Sequence, residues 1–143
     1  MVFIEDKGSI FKAPIEQIWR LLEAHNYEGD KIHPGNKNRT TEKVAENVFM
    51  LSWENEVQGR IIKSKERLTN YPPVGRALEF LEGRLAGSKA FVYYAPKENE
   101  TEVNVIGEWK SSAMSDEEIK KNVLSFLQHN FEEDSAYLKT MKY

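Results

Sequence analysis

The chain has 143 residues, enough for one domain with a real hydrophobic core. Hydrophobic residues make up 40% and charged residues 30%, with 20 Lys and Arg against 23 Asp and Glu for a net charge of −3. The signs are interspersed and form no basic stripe, which argues against nucleic acid as a partner. The absence of Cys excludes disulfides, thiolate metal sites and thiol nucleophiles.

Val2 to Lys12 is rich in β-formers and reads as a strand. Pro14 suits a first helical turn, and Ile15, Ile18, Trp19 and Leu22 recur at helical spacing, so a short amphipathic helix is expected over Pro14 to His25. Asn26 to Asn38, with Gly29, Pro34 and Gly35, reads as a loop with at most one helical turn. From Arg39 onward the pattern is of antiparallel strands: Thr40 to Ala45, Val48 to Val57, Gly59 to Leu68, Gly75 to Leu85, Lys89 to Ala95 and Thr101 to Ser111. Glu46-Asn47 and Gln58-Gly59 are the tight-turn candidates. The last strand alternates most clearly, with Thr101, Val103, Val105, Gly107 and Trp109 on one face.

Ser115 to Tyr143 contains no Gly or Pro and reads as one long amphipathic helix. Ser115 and Glu118 form a capping-box pattern, and Asp116, Glu117 and Glu118 complement the positive end of the helix dipole. Ile119, Val123, Phe126, Leu127, Tyr137, Leu138 and Met141 share a face, with Phe131 at its edge. Asn130 and Asp134 fall in the middle of that face, where a helix that only fills a core rarely places polar groups; they point to a cavity. The sheet's apolar face needs a cover, and this helix is the one large amphipathic object left for it.

The stretch Lys12-Ala13-Pro14-Ile15-Glu16-Gln17-Ile18-Trp19-Arg20-Leu21-Leu22 resembles the A-P-x-E-x-V-W-x-L-L opening of the START-like helix-grip superfamily, also called SRPBCC or Bet v 1-like. Glu66 to Pro73, Leu78 to Gly87, Tyr94, Pro96 and Thr101 to Val103 follow that family's succession of strands. The resemblance spans residues 1–143 as a single START-like domain. It implies an α+β helix-grip fold: a curved seven-stranded antiparallel sheet wrapped around a long C-terminal helix, with short helices after the first strand and an apolar cavity between sheet and helix. Some features depart from particular branches. Glu46-Asn47 leaves no room for the glycine-rich loop of the pollen-allergen branch, and neither Asn70 to Gly75 nor Ala86 to Lys89 matches the gate and latch of the plant hormone receptors. The nearest branches are polyketide cyclase/dehydrase-like proteins and small lipid carriers. No residue set in them is constant enough to assign catalysis to named positions.

Two functions are therefore carried forward. One is a carrier or sensor that binds a small hydrophobic or amphipathic molecule, lipid-like or polyketide-like, between the sheet and the C-terminal helix. The other is a cyclase/dehydratase-type enzyme that uses cavity carboxylates for proton transfer. The ligand-facing candidates are Trp53, Glu66, Phe80, Tyr94, Val105, Gly107, Trp109, Phe126, Asn130 and Asp134. Glu66 and Asp134 are the catalytic candidates, since a carboxyl in an apolar cavity has a raised pKa; an edge or bulge position would instead return Glu66 to solvent. His25 and His33 could join Asp30 as metal ligands, but their loop-rich setting reads more simply as a cavity mouth, so no metal and no cofactor are assigned. His129 lies off the apolar stripe and is read as solvated. The small molecule is the expected partner, without nucleic acid or stable membrane insertion, and pairing into a homodimer is left open. With no signal-peptide core or long apolar run, a cytoplasmic protein is expected.

Overall fold

In the computed structural model, which describes residues 1–141, the chain runs as β1 (Val2–Phe11), α1 (Ile15–Ile32), β2 (Lys37–Ala45), β3 (Val48–Val57), β4 (Arg60–Tyr71), β5 (Gly75–Glu82), β6 (Lys89–Lys97), β7 (Glu100–Trp109) and α2 (Asp116–Leu138). All strand pairs are antiparallel, in the order β1-β7-β6-β5-β4-β3-β2, so β1 and β2 are the two edges of one sheet. The turns follow from the residues that make them. Gln58 and Gly59 both have positive φ, the conformation that lets a two-residue turn match the right-handed twist of the strands it joins, while in Glu46-Asn47 only Asn47 does.

The fold matches the helix-grip architecture expected from the sequence, with differences at two helix ends. The first helix does not stop at His25. It is kinked at Glu28, whose φ of −126° and ψ of 20° are non-helical, and then resumes through Ile32. Ile32 anchors the second piece because its side chain is buried in the main core. The segment expected to be a loop instead carries His33 to a fixed position as the C-cap. At the other end α2 stops at Leu138; Thr140 and Met141 close a turn back onto Tyr137 and Leu138, and the expected continuation through Lys142 and Tyr143 lies outside the described residues.

The start of α2 is set by its cap. Ser115 Oγ accepts from the Glu118 N–H at 3.2 Å while the Ser115 N–H donates to Glu118 Oε1 at 3.1 Å. Two otherwise orphaned donors are satisfied at once. From there Ile119 and Val123 enter a core that includes Trp109, Phe80, Ile18 and Leu21. Ile18, Leu21, Trp109 and Val123 are 0% exposed, and the Phe80 and Trp109 rings lie 5.4 Å apart. Gly107 sits in this solid part of the sheet. A Cβ there would meet Lys89 O at 2.7 Å and Ala90 Cβ at 2.8 Å, so the missing side chain serves the close approach of β6 and β7.

Candidate functional site

Beyond this solid core, the space between the sheet and the second half of α2 is open. A cavity of about 170 Å³ is walled by side chains of α1, α2 and all seven strands, among them Leu51, Trp53, Leu68, Val105 and Phe126. Its polar lining includes His25, His33, Arg39, Glu66, Arg76, Asn130 and Asp134, together with Asp6 and Ser9, which flank the β1 bulge. A second space of about 200 Å³ lies on the other side of Trp53 and Phe126, which line both, and includes Phe80, Leu85 and Met114.

The polar groups converge on the joint between the two helices. His25 comes from the first piece of α1, His33 from the end of its second piece, and Asp134 from the penultimate turn of α2. The two Nε2 atoms lie 3.0 Å apart, and Asp134 Oδ1 is 3.1 Å from that of His25 and 3.2 Å from that of His33. The remaining ring nitrogens face outward. His25 Nδ1–H donates to the Leu21 carbonyl at 2.8 Å, an assignment forced because a carbonyl can only accept, and His33 Nδ1–H donates to Glu133 Oε1 at 2.8 Å. Tyr137 Oη adds a hydrogen bond to Glu28 at the kink, tying α2 to the same segment. A second tether comes from β3: Trp53 Nε1–H donates to Asn55 Oδ1, and the Asn55 amide donates to Gly35 O and Asn36 Oδ1, fixing the chain just after His33.

Charge in this half of the interior is coupled. Burial lowers the His25 pKa despite its contact with Asp134. Burial also acts against the cationic form of His33, but the hydrogen bonds and charges of Asp134 and Glu133 outweigh it and raise the pKa of that ring. Asp134 is held well below the ordinary carboxylate range, because both imidazoles overcome its burial. The cluster thus favours an ionised Asp134, a neutral His25 and a readily protonated His33. Glu66 is different: burial pushes it up to about 7, although Arg76, Arg39 and His33 all pull the other way. The Tyr94 hydroxyl is pushed up to about 12 by burial. Arg39 reaches the site across Gly29, where any Cβ would collide with its guanidinium, and its Nε has no hydrogen-bond partner among the described residues.

No family model and no curated protein matches the chain in sequence. Solved structures do match in shape. The Zhui aromatase/cyclase of Streptomyces sp. R1128 superposes with a TM-score of 0.76 at 12% identity, over 96% of this chain and 93% of that one. Ara h 8.0201 gives a TM-score of 0.76 at 12% identity over 98% and 99% of the two chains. A protein of Thermus thermophilus gives 0.70 at 16% identity over 97% and 95%. The chain has the Bet v 1-like helix-grip fold.

Within this helix-grip frame, the sequence-derived candidates separate into three groups. Trp53, Glu66, Tyr94, Val105, Phe126, Asn130 and Asp134 line the first cavity. Phe80 lines the second. Gly107 and Trp109 line neither: Trp109 is core, and Gly107 is taken up by the contact between strands. Glu66 is 7% exposed, so the register shift beside it does not turn it to solvent. His129 is exposed, with Glu133 3.4 Å away. His25 and His33 meet Asp134 rather than Asp30, which is exposed.

Arg39, Arg76 and Glu133 were not among the candidates. Arg76 was readable, because it precedes Leu78 and Phe80 by even steps on the inward face of β5. Arg39 and the His25–His33 pairing carry no such signal. They depend on the kink at Glu28 and on the space above Gly29, which are properties of the folded chain.

Proposed function

We propose that the protein binds a small hydrophobic or amphipathic molecule in the helix-grip cavity, its apolar body against Leu51, Trp53, Leu68 and Phe126 and its polar end among Arg76, Glu66, Asn130 and Asp134. The observation that carries this reading is the composition of the lining: apolar walls with a few converging polar groups are how such pockets fix a ligand's orientation. The volume narrows the ligand class. An apolar cavity of about 150 Å³ takes up benzene, so about 170 Å³ suits a body of one or two rings, polyketide-like rather than a long acyl chain. A longer ligand requires Trp53 or Phe126 to move and join the two spaces. Native mass spectrometry of gently purified protein, with displacement of a naphthalene-sulfonate fluorophore, tests the proposal. A one-to-one complex displaced by small aromatic acids or phenols is expected. A protein with no bound species and no displaceable fluorophore contradicts it.

A second reading, a cyclase/dehydratase-type enzyme, is favoured by one specific observation: Glu66 and Asp134 line the same cavity with different proton affinities. Glu66, near neutrality, suits general acid or base work, while ionised Asp134 would orient an imidazole. On this reading Glu66→Gln abolishes turnover of a polyketide-like substrate and leaves its binding intact. Loss of binding and turnover in parallel would return Glu66 to a purely binding role.

A further inference from the structure

The His25, His33 and Asp134 atoms that face each other are all suited to accept. Because each Nδ1–H is already committed outward, to Leu21 O and to Glu133, a ring that carries no second proton turns its Nε2 lone pair toward Asp134 Oδ1, and a metal ion takes the place of the proton that His33 otherwise holds there. One proton can lie between only two of the three atoms at a time. The triangle is also nearly equilateral, with edges of 3.0, 3.1 and 3.2 Å. With bonds of roughly 2.0–2.2 Å, neighbouring donor atoms lie about 2.8–3.1 Å apart around an octahedral ion and about 3.3–3.6 Å apart around a tetrahedral one, so the observed edges sit at the octahedral end. The spacing is that of ligands around one centre.

We propose that His25 Nε2, His33 Nε2 and Asp134 Oδ1 bind a divalent first-row transition metal at the polar end of the cavity. Three features beyond the spacing support it. Two imidazoles and one carboxylate are a donor set for Fe²⁺, Mn²⁺, Co²⁺, Ni²⁺ or Zn²⁺ and a poor one for Ca²⁺ or Mg²⁺. Both rings are already oriented through their far nitrogens, by a backbone carbonyl and a carboxylate, the outer partners that metal-ligating histidines ordinarily have. All three residues line the cavity, so the positions they leave open on the ion are available to a ligand donor there. The inference goes beyond the ligand-binding reading and stands without it, since the metal is bound by the chain's own side chains.

The test uses untagged full-length protein stripped with EDTA and titrated with CoCl₂, read by visible ligand-field absorption and by isothermal calorimetry. One Co²⁺ per chain is expected, displaced by Zn²⁺. His33→Gln and Asp134→Asn each weaken binding by more than the roughly 10- to 100-fold that losing an outer partner costs, and Glu133→Gln weakens it within that range. His129→Ala, on the exposed face, leaves it unchanged. Circular dichroism checks each variant, and Glu133→Gln supplies the decision if either ligand variant fails to fold. The proposal is overturned if wild-type protein shows no ligand-field band up to millimolar Co²⁺, if His129→Ala removes the binding, or if folded ligand variants bind as the wild type does.

Discussion

The two halves of α2 lie under the same sheet and do opposite things. The first half sends Ile119 and Val123 into a closed core with Trp109, borders the first cavity only through Phe126 and Leu127 at its far end, and touches the second space through Asn122 and Phe126. The second half presents Asn130 and Asp134 to open space and to charged groups from α1, β2, β4 and β5. Burial of apolar surface accounts for the first half and stabilises the fold. The second half keeps several desolvated ionisable groups, which cost stability, and it is there that the proposed binding site lies.

The sharpest way to break this contrast is to empty the closed half. Trp109→Ala is expected to cost about 3–5 kcal/mol in urea denaturation, the range for deleting a large buried aromatic; a cost near zero would mean the core is not closed around it. Next in size is Glu66→Gln in the open half. The Glu66 carboxyl is raised to about 7 in the folded protein, so relative to the unfolded chain its stabilising contribution is complete below an ordinary carboxylate pKa and is lost as pH rises through about 7. Gln does not titrate. The stability of Glu66→Gln relative to wild type should therefore increase by up to about 3 kcal/mol between about pH 4 and about pH 8, measured in EDTA. A difference independent of pH would show that Glu66 is solvated.

Smaller effects sharpen the picture at each end of the helix. Ser115→Ala removes one arm of the capping box and should cost about 1 kcal/mol, seen as a lower denaturation midpoint with an unchanged slope. Asn130→Ala is expected to change stability by less than about 0.5 kcal/mol while weakening an orienting hydrogen bond to the bound molecule by about 1 kcal/mol, or roughly fivefold in affinity. An Asn130→Ala protein that loses stability and binds normally would place Asn130 in the scaffold.

How much of this could be read from the sequence follows the same division. The inward face of β7 announces itself by alternation, as Val103, Val105 and Trp109 do, and the capping box marks the start of α2 without tertiary help. Asn130 and Asp134 were legible as misfits on an apolar face. The partners of Asp134 were not, because His25 and His33 are eight residues apart on a helix, a spacing that brings neither ring toward the other until Glu28 breaks the helix between them. Gly29 signals a break beside Glu28, but nothing in local propensity says that the helix resumes beyond it. Gly107 and Trp109 lie off both cavities for a related reason: alternation gives the inward face of β7, while packing against β6 and Phe80 decides whether the space beneath is filled.

The most direct test of the central claim, that the open half of the interior is the functional one, is amide chemical-shift mapping of the wild-type protein as a small aromatic acid is added. The account predicts saturable shifts at His25, His33, Glu66, Arg76, Asn130 and Asp134, with Ile119, Val123 and Trp109 little affected. Shifts confined to the outer surface, or spread evenly over both halves of α2, would contradict it.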